Sequence, residues 1–124
     1  MEIRSSAEDY LETILLLARK TGLVRSIDIV DEMGFSKPSV SVAMKKLRES
    51  GHVLTDDDGF ITLTESGRAI AEAMYERHTL LTDFFVALGV DAEIARQDAC
   101  RIEHIISQET FEKIRAYGKR VGIE

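Results

Sequence analysis

The chemistry of this chain concentrates in a five-residue run, Cys100-Arg101-Ile102-Glu103-His104. On a helix, positions i, i+3 and i+4 share a face, so the thiol, the carboxylate and the imidazole converge within reach of one ion. The same spacing puts Asp9 and Glu12 together near the N-terminus, and His78 lies between the two groups in sequence. A Glu-His pair alone is most often a surface feature, a lone Cys a small core residue, and an Asp/Glu pair in a first turn a complement to the helix dipole. Taken together, Asp9, Glu12, His78, Cys100, Glu103 and His104 offer three carboxylates, two imidazoles and one thiol. That set exceeds a closed tetrahedral site and suits a transition ion of five or six ligands. Carboxylates favour Mn²⁺ or Fe²⁺, whereas Cys and His pull toward Fe²⁺, Co²⁺, Ni²⁺ or Zn²⁺. The expectation is Mn²⁺ or Fe²⁺ in the cell, with Co²⁺, Ni²⁺ or Zn²⁺ substituting in vitro.

A second constellation is basic. Between Ser36 and Ser50 stand Lys37, Lys45, Lys46 and Arg48 against Glu49 alone, a local charge of +3 in a chain of net charge −6. Ser36, Lys37, Pro38, Ser39, Ser41, Val42, Lys45 and Lys46 are the candidate DNA contacts. Hydroxyls suit phosphates or base edges, lysines suit phosphates, and an outward Val42 can pack on a thymine methyl.

The elements that must carry these residues follow from caps and periodicity. Ser5 with Glu8, or Ser6 with Asp9, caps a first helix whose apolar positions Ala7, Tyr10, Leu11, Ile14, Leu15 and Ala18 recur every three or four residues up to Gly22. Ser26 caps a short helix ended by Gly34, and Gly34-Phe35-Ser36 turns the chain into a third helix with Pro38 in its first turn. Two helices joined by so short a glycine turn signal a helix-turn-helix. The runs His52-Val53-Leu54-Thr55 and Phe60-Ile61-Thr62-Leu63 flank Asp56-Asp57-Asp58-Gly59 and read as a β-hairpin wing. Its acidic tip repels phosphate, so the wing either stays clear of the backbone or is purely structural. Thr64 caps a long helix with Ile70, Ala73, Met74, Leu81, Phe84, Phe85 and Leu88 on its apolar side, ending at Gly89. Asp91 and Ser107 cap two more helices, spanning about residues 92–106 and 108–118. The fold class expected is mainly α, with a winged helix-turn-helix domain over residues 1–72 and a helical dimerisation and metal-binding domain over residues 73–124. The long apolar stripe is more than a small monomer covers, which points to a homodimer.

Composition bounds the rest. At 124 residues the chain is too short for a large enzyme scaffold, and 44% hydrophobic with 31% charged residues is neither disordered nor fibrous. The acidic balance argues against DNA binding through bulk charge, so contact must rely on placed charge. One Cys forbids an internal disulfide, the start MEIRSSAEDY lacks a signal pattern, and no apolar run approaches a bilayer span, so a cytoplasmic protein with no membrane partner is expected.

The runs SAEDYLETI, IDIVDEMGFSKPSVSVAMKKL, LTESGRAIA, ERHTLLTDFF and DACRIEHIIS, in that order along nearly the whole chain, resemble the diphtheria-toxin-repressor and manganese-transport-regulator family. The resemblance implies a winged-helix domain, a helical dimerisation domain and a divalent metal acting as co-repressor between them. It places Asp9, Glu12, His78, Cys100, Glu103 and His104 at the family's ligand positions. The match is a hybrid, with Asp at residue 9 as in manganese-type members and Cys at residue 100 as in iron-type members. Thr82 and Arg96 stand where the iron type has two ligands of an ancillary site, so that site is expected to be absent. With the sequence ending at Glu124, the third, SH3-like domain of longer members is expected to be missing too.

The function expected is therefore a metal-dependent repressor of operator DNA in transition-metal homeostasis, acting without a small-molecule substrate. A winged-helix regulator of an organic ligand is the alternative. A thiol or metallohydrolase reading is set aside because no Gly-rich cradle or oxyanion loop lies near Cys100 and the carboxylates leave little room for substrate.

Overall fold

The computed structural model describes the backbone of residues 5–123 and side chains from Ser6 onward. It contains α1 (Ser5–Thr21), α2 (Ser26–Met33), α3 (Lys37–Glu49), β1 (Val53–Thr55), β2 (Ile61–Leu63), α4 (Glu65–Ala87), α5 (Ala92–Ile102) and α6 (Gln108–Val121). The chain separates into two compact units, one up to Glu72 and one from Ala73 on, with α4 running through the division. The architecture is mainly α with one hairpin. Among the described residues no helix is long and apolar enough to cross a membrane.

The N-terminal unit is a winged helix-turn-helix. Tyr10, Leu11, Ile14 and Leu15 of α1 pack with Ile29 of α2, Val40, Met44 and Leu47 of α3, and Val53 and Ile61 of the hairpin in one buried cluster. Each fully buried aliphatic side chain contributes about 1.5–3 kcal/mol, so this cluster holds α3 by its inner face and leaves the outer face to solvent. Tyr10 lies at the cluster's edge against Phe35 (ring centroids 5.8 Å apart, edge-on), and burial raises its phenol above the ordinary value of 10.0. At the turn, Gly34 adopts φ +70° while its N–H bonds the Val30 carbonyl (2.9 Å), a left-handed cap that a side chain disfavours. Ser36 then caps α3, its Oγ accepting from the Ser39 N–H at 3.2 Å.

The wing pairs Val53 with Leu63, Leu54 with Thr62 and Thr55 with Ile61, antiparallel. Asp56 closes its tip: the carboxylate accepts from the N–H groups of Asp58 (3.0 Å) and Phe60 (2.9 Å). One of the three acidic residues is thus a turn device. Arg25 covers the Phe60 ring at 4.3 Å. At the base, Thr64 caps α4 by accepting from the Gly67 N–H (3.2 Å), and its hydroxyl donates to the Gly51 carbonyl (2.7 Å). Gly67 passes so close to the His52 carbonyl that a Cβ would lie 2.0 Å from its oxygen.

In the C-terminal unit Met74, Leu80, Leu81, Ala95, Ala99 and Phe111 are buried. Val86, Leu88, Ile94, Tyr117 and Val121 are exposed large apolar side chains.

Several boundaries differ from the sequence expectation. Arg25, not Ser26, is the N-cap of α2, because the Asp28 carboxylate reaches back to the Arg25 N–H (2.8 Å) and does the capping from inside the first turn. Ser6 lies within α1, and the Ser5 side chain is outside the described residues. Ala73 faces solvent while Ala71 is buried, so the buried residues of α4 are Gly67, Ala71, Met74, Leu80 and Leu81, with Ile70, Phe84 and Phe85 half-buried. Leu88 lies past the helix and is exposed. Helix α6 continues through Gly118 to a left-handed Gly122. Gly118 is buried, with Leu80 Cδ1 3.7 Å from where its Cβ would be, so it serves packing and is no stop signal. Helix α5 ends at Ile102, so His104 stands in the following link and not on the helix that carries Cys100.

Candidate metal centre and DNA-reading helix

The C-terminal unit brings His78 of α4 to Glu103. Residue 103 is the C-cap of α5, still helical in backbone (φ −57°, ψ −26°), its N–H bonded to the Ala99 carbonyl. Helical spacing from Cys100 therefore persists through Glu103, and Cys100 Sγ lies within 4.8 Å of a Glu103 carboxylate oxygen. Beyond it, the N–H groups of Ile105 and Ile106 both bond the Ile102 carbonyl at 3.0 Å, folding the link that contains His104.

Glu103 is fully buried (0% exposed). Its Oε2 lies 3.0 Å from His78 Nδ1, and its Oε1 lies 3.4 Å from His104 Nε2. The His104 approach falls outside hydrogen-bond geometry, and Oε1 is the buried side-chain oxygen left without a hydrogen-bond partner among the described residues. A buried carboxylate held between two imidazoles with one oxygen unsatisfied is costly unless a cation completes it. The donor set, carboxylate with imidazole nitrogens and a neighbouring thiol, fits a divalent transition ion.

Cys100 is exposed and His104 nearly covered. The structure thus groups His78, Cys100, Glu103 and His104 in one unit. Asp9 and Glu12 lie one turn apart on α1 in the other, Asp9 half-buried and Glu12 buried. Thr82, one turn after His78, donates its hydroxyl to the His78 carbonyl (2.7 Å), and Arg96 pairs with Glu93.

Sequence reasoning missed Arg77. Its guanidinium donates to the carbonyls of Glu103 (3.0 Å) and Ile106 (2.9 Å) and to Gln108 Oε1 (2.7 Å). The Glu103 carbonyl belongs to the C-cap of α5, and the Ile106 carbonyl lies in the link just before the Ser107 cap of α6. The only trace in the sequence is an Arg directly before His78, which no periodicity rule singles out.

On α3, Ser36, Lys37, Pro38, Ser39, Ser41, Val42, Lys45 and Lys46 are all exposed, opposite buried Val40, Met44 and Leu47. Val42 is 54% exposed, an apolar side chain on an otherwise polar face. Ser36 Oγ donates to Ser39 Oγ (2.8 Å), so these two hydroxyls are engaged at the helix start.

A winged helix-turn-helix joined to a helical unit with a buried carboxylate–imidazole cluster defines a class, the metal-responsive DNA-binding proteins. The chain matches two family models that together span most of it: the iron-dependent repressor N-terminal DNA-binding domain over residues 2–59 and the iron-dependent repressor metal-binding and dimerisation domain over residues 64–121. The chain belongs to this family of metal-dependent transcriptional repressors.

It is 34% identical over 119 residues to the transcriptional regulator MntR of Escherichia coli O6:H1 (strain CFT073), covering 96% of this chain and 77% of that protein. To the HTH-type transcriptional regulator MntR of Lysinibacillus sphaericus (strain C3-41) it is 32% identical over 109 residues, covering 88% of this chain and 78% of the relative. Among solved structures it resembles a manganese-dependent transcriptional repressor in complex with manganese (TM-score 0.79, 33% identity), covering 95% of this chain and 53% of that one. It also resembles the manganese regulator SloR (TM-score 0.81, 28% identity), covering 95% and 54%. The chain spans about half the length of these two solved chains.

Proposed function

We propose that this chain is a regulator and not an enzyme, a homodimeric repressor that binds operator DNA when loaded with Mn²⁺ or Fe²⁺ and so controls transition-metal homeostasis. The observation that carries the reading is the buried Glu103 carboxylate, flanked by His78 and His104, with Oε1 unsatisfied. His78, Cys100, Glu103 and His104 would hold the ion, with Asp9 and Glu12 completing the set. When bound, the ion supplies the positive charge that this excess of carboxylates lacks. In its absence Glu103 keeps a buried carboxylate oxygen without a hydrogen-bond donor. Ligands drawn from α1 and from the C-terminal unit therefore couple metal uptake to the presentation of α3.

In a dimer, two copies of α3 must reach major grooves about 34 Å apart or a multiple of that. Lys37, Lys45 and Lys46 contact phosphates, whereas Val42 and Ser41 face base edges. The dimer contact uses the exposed apolar residues Val86, Leu88, Ile94, Tyr117 and Val121. The manganese named for two of the solved relatives supports Mn²⁺, as do the hard carboxylates, while Cys100 keeps Fe²⁺ in contention.

The test is anaerobic titration with Mn²⁺ and Fe²⁺ of wild type, His78→Ala and Glu103→Gln. Binding by wild type and its loss in both variants is expected. Equal uptake by all three removes these residues from the site, and no uptake by wild type redirects the reading to an organic ligand.

A further inference from the structure

Arg77 stands one residue before His78 on α4, and what it grips is the segment that carries Glu103 and His104. Its Nη1 donates to the Glu103 carbonyl (3.0 Å) and the Ile106 carbonyl (2.9 Å), and its Nη2 to Gln108 Oε1 (2.7 Å). The guanidinium also lies over the ring of buried Phe111, 5.3 Å from its centroid. The acceptors span the link between α5 and α6, residues 103–107, from its first residue to the start of α6. Glu103 is therefore held twice from α4: by its main chain through Arg77 and by its carboxylate through His78 Nδ1, 3.0 Å away.

We propose that Arg77 is a positioning residue for the metal centre. By fixing the link against α4 it holds the Glu103 carboxylate and the His104 imidazole together before any ion arrives. This rests on the metal-binding reading above and adds a residue that donates nothing to the ion.

Arg77 would act by preorganisation. The carbonyls at a helix C-terminus have no intrahelical donors; here backbone N–H groups of the link meet the Ile102 carbonyl, and a side chain from another helix meets that of Glu103 and, further along the link, that of Ile106. Without that fork the link gains freedom, and ordering it falls on ion binding, which weakens affinity. A guanidinium suits the task because its planar donors meet several acceptors while the face stacks on an aromatic ring; an ammonium cannot keep that geometry.

The test uses the full chain as wild type, Arg77→Met, which keeps an unbranched apolar stem, and Arg77→Lys. Mn²⁺ affinity is measured by calorimetry, ligand geometry by the visible absorption of bound Co²⁺, and stability by thermal melting of metal-free protein. Arg77→Met is expected to weaken Mn²⁺ binding about 10–100-fold, as loss of a residue that orients a ligand typically does. It should also alter the Co²⁺ spectrum, with Arg77→Lys falling between it and wild type. Should Arg77→Met not fold, Gln108→Leu, which removes one acceptor of the fork, is compared with Arg77→Lys and is expected to show a smaller loss in the same direction.

A merely structural role lowers the melting temperature of the metal-free protein yet leaves the Co²⁺ spectrum and Mn²⁺ affinity of the folded variants as in wild type. That result overturns the proposal alone. Wild type that takes up neither Mn²⁺ nor Co²⁺ overturns the metal-binding reading and this proposal with it.

Discussion

Among the described acidic residues Glu103 stands apart in being buried completely. Replacing it with Gln keeps its volume and removes its charge, so an effect on metal uptake separates from one on packing. Metal-free Glu103→Gln is expected to melt at or above the wild-type temperature, because an incompletely satisfied buried charge has been removed. The stabilisation of wild type by the ion, about 2.7 kcal/mol at a free concentration one hundred times Kd, should vanish. Thermal melting with and without Mn²⁺ checks both arms, and a fall in metal-free stability would mark Glu103 as an ordinary structural ion-pair partner of His78. On α3, Lys46→Ala should weaken binding to all DNA sequences alike and reduce the salt slope by about one unit. Val42→Ala should instead leave non-specific binding unchanged and lower discrimination at a thymine position by about 1 kcal/mol, the order of one buried methyl contact. Competition binding with uracil in place of that thymine, which removes only the methyl, reads the Val42 effect.

At the scale of elements, the wing base tolerates no side chain at Gly67, where a Cβ would stand 2.0 Å from the His52 oxygen. Backbone faces backbone there, so Gly67→Ala should cost about 1–3 kcal/mol or more, seen as a lower urea midpoint. The Ser36 cap is worth about 1 kcal/mol, and Ser36→Ala should lower the same midpoint while fraying the end of α3 proposed to meet DNA. Much at this scale was legible in the sequence. Gly34, Ser36 and Pro38 punctuate the turn, and the alternating hairpin, Thr64, Asp91 and Ser107 mark their elements by local chemistry. What escaped depends on contacts between distant segments. The C-cap carbonyl of α5 at Glu103 is met by Arg77, 26 residues away, and periodicity carries no trace of a donor arriving from elsewhere. The expected end of α6 falls at Gly118, which instead lies inside the helix with Leu80 packed beside it. Likewise Ser26 was the obvious cap, but the Asp28 carboxylate took the exposed N–H from the other side. Of the metal centre, the residue types and the one-turn spacing of Cys100 to Glu103 were legible; the burial of Glu103 and the position of His104 beyond the helix were not.

At the scale of the whole molecule, the net charge of −6 divides by purpose. The outer face of α3 is basic, while Asp9, Glu12 and Glu103 are acidic groups that a dication would neutralise. Linkage then requires that metal and DNA strengthen each other by the same factor, about 5–150-fold for a coupling of roughly 1–3 kcal/mol. The coupling also predicts that Asp9→Asn, on α1 and distant in sequence from both α3 and Glu103, lowers that factor toward one while leaving metal-free DNA binding unchanged. The most direct measurement is the affinity of the wild-type chain, with and without saturating Mn²⁺ at one fixed salt concentration, for a duplex selected from a random pool by the Mn²⁺-loaded protein. Binding at least fivefold tighter with the ion is expected, and equal affinity in the two states would contradict metal-activated DNA binding.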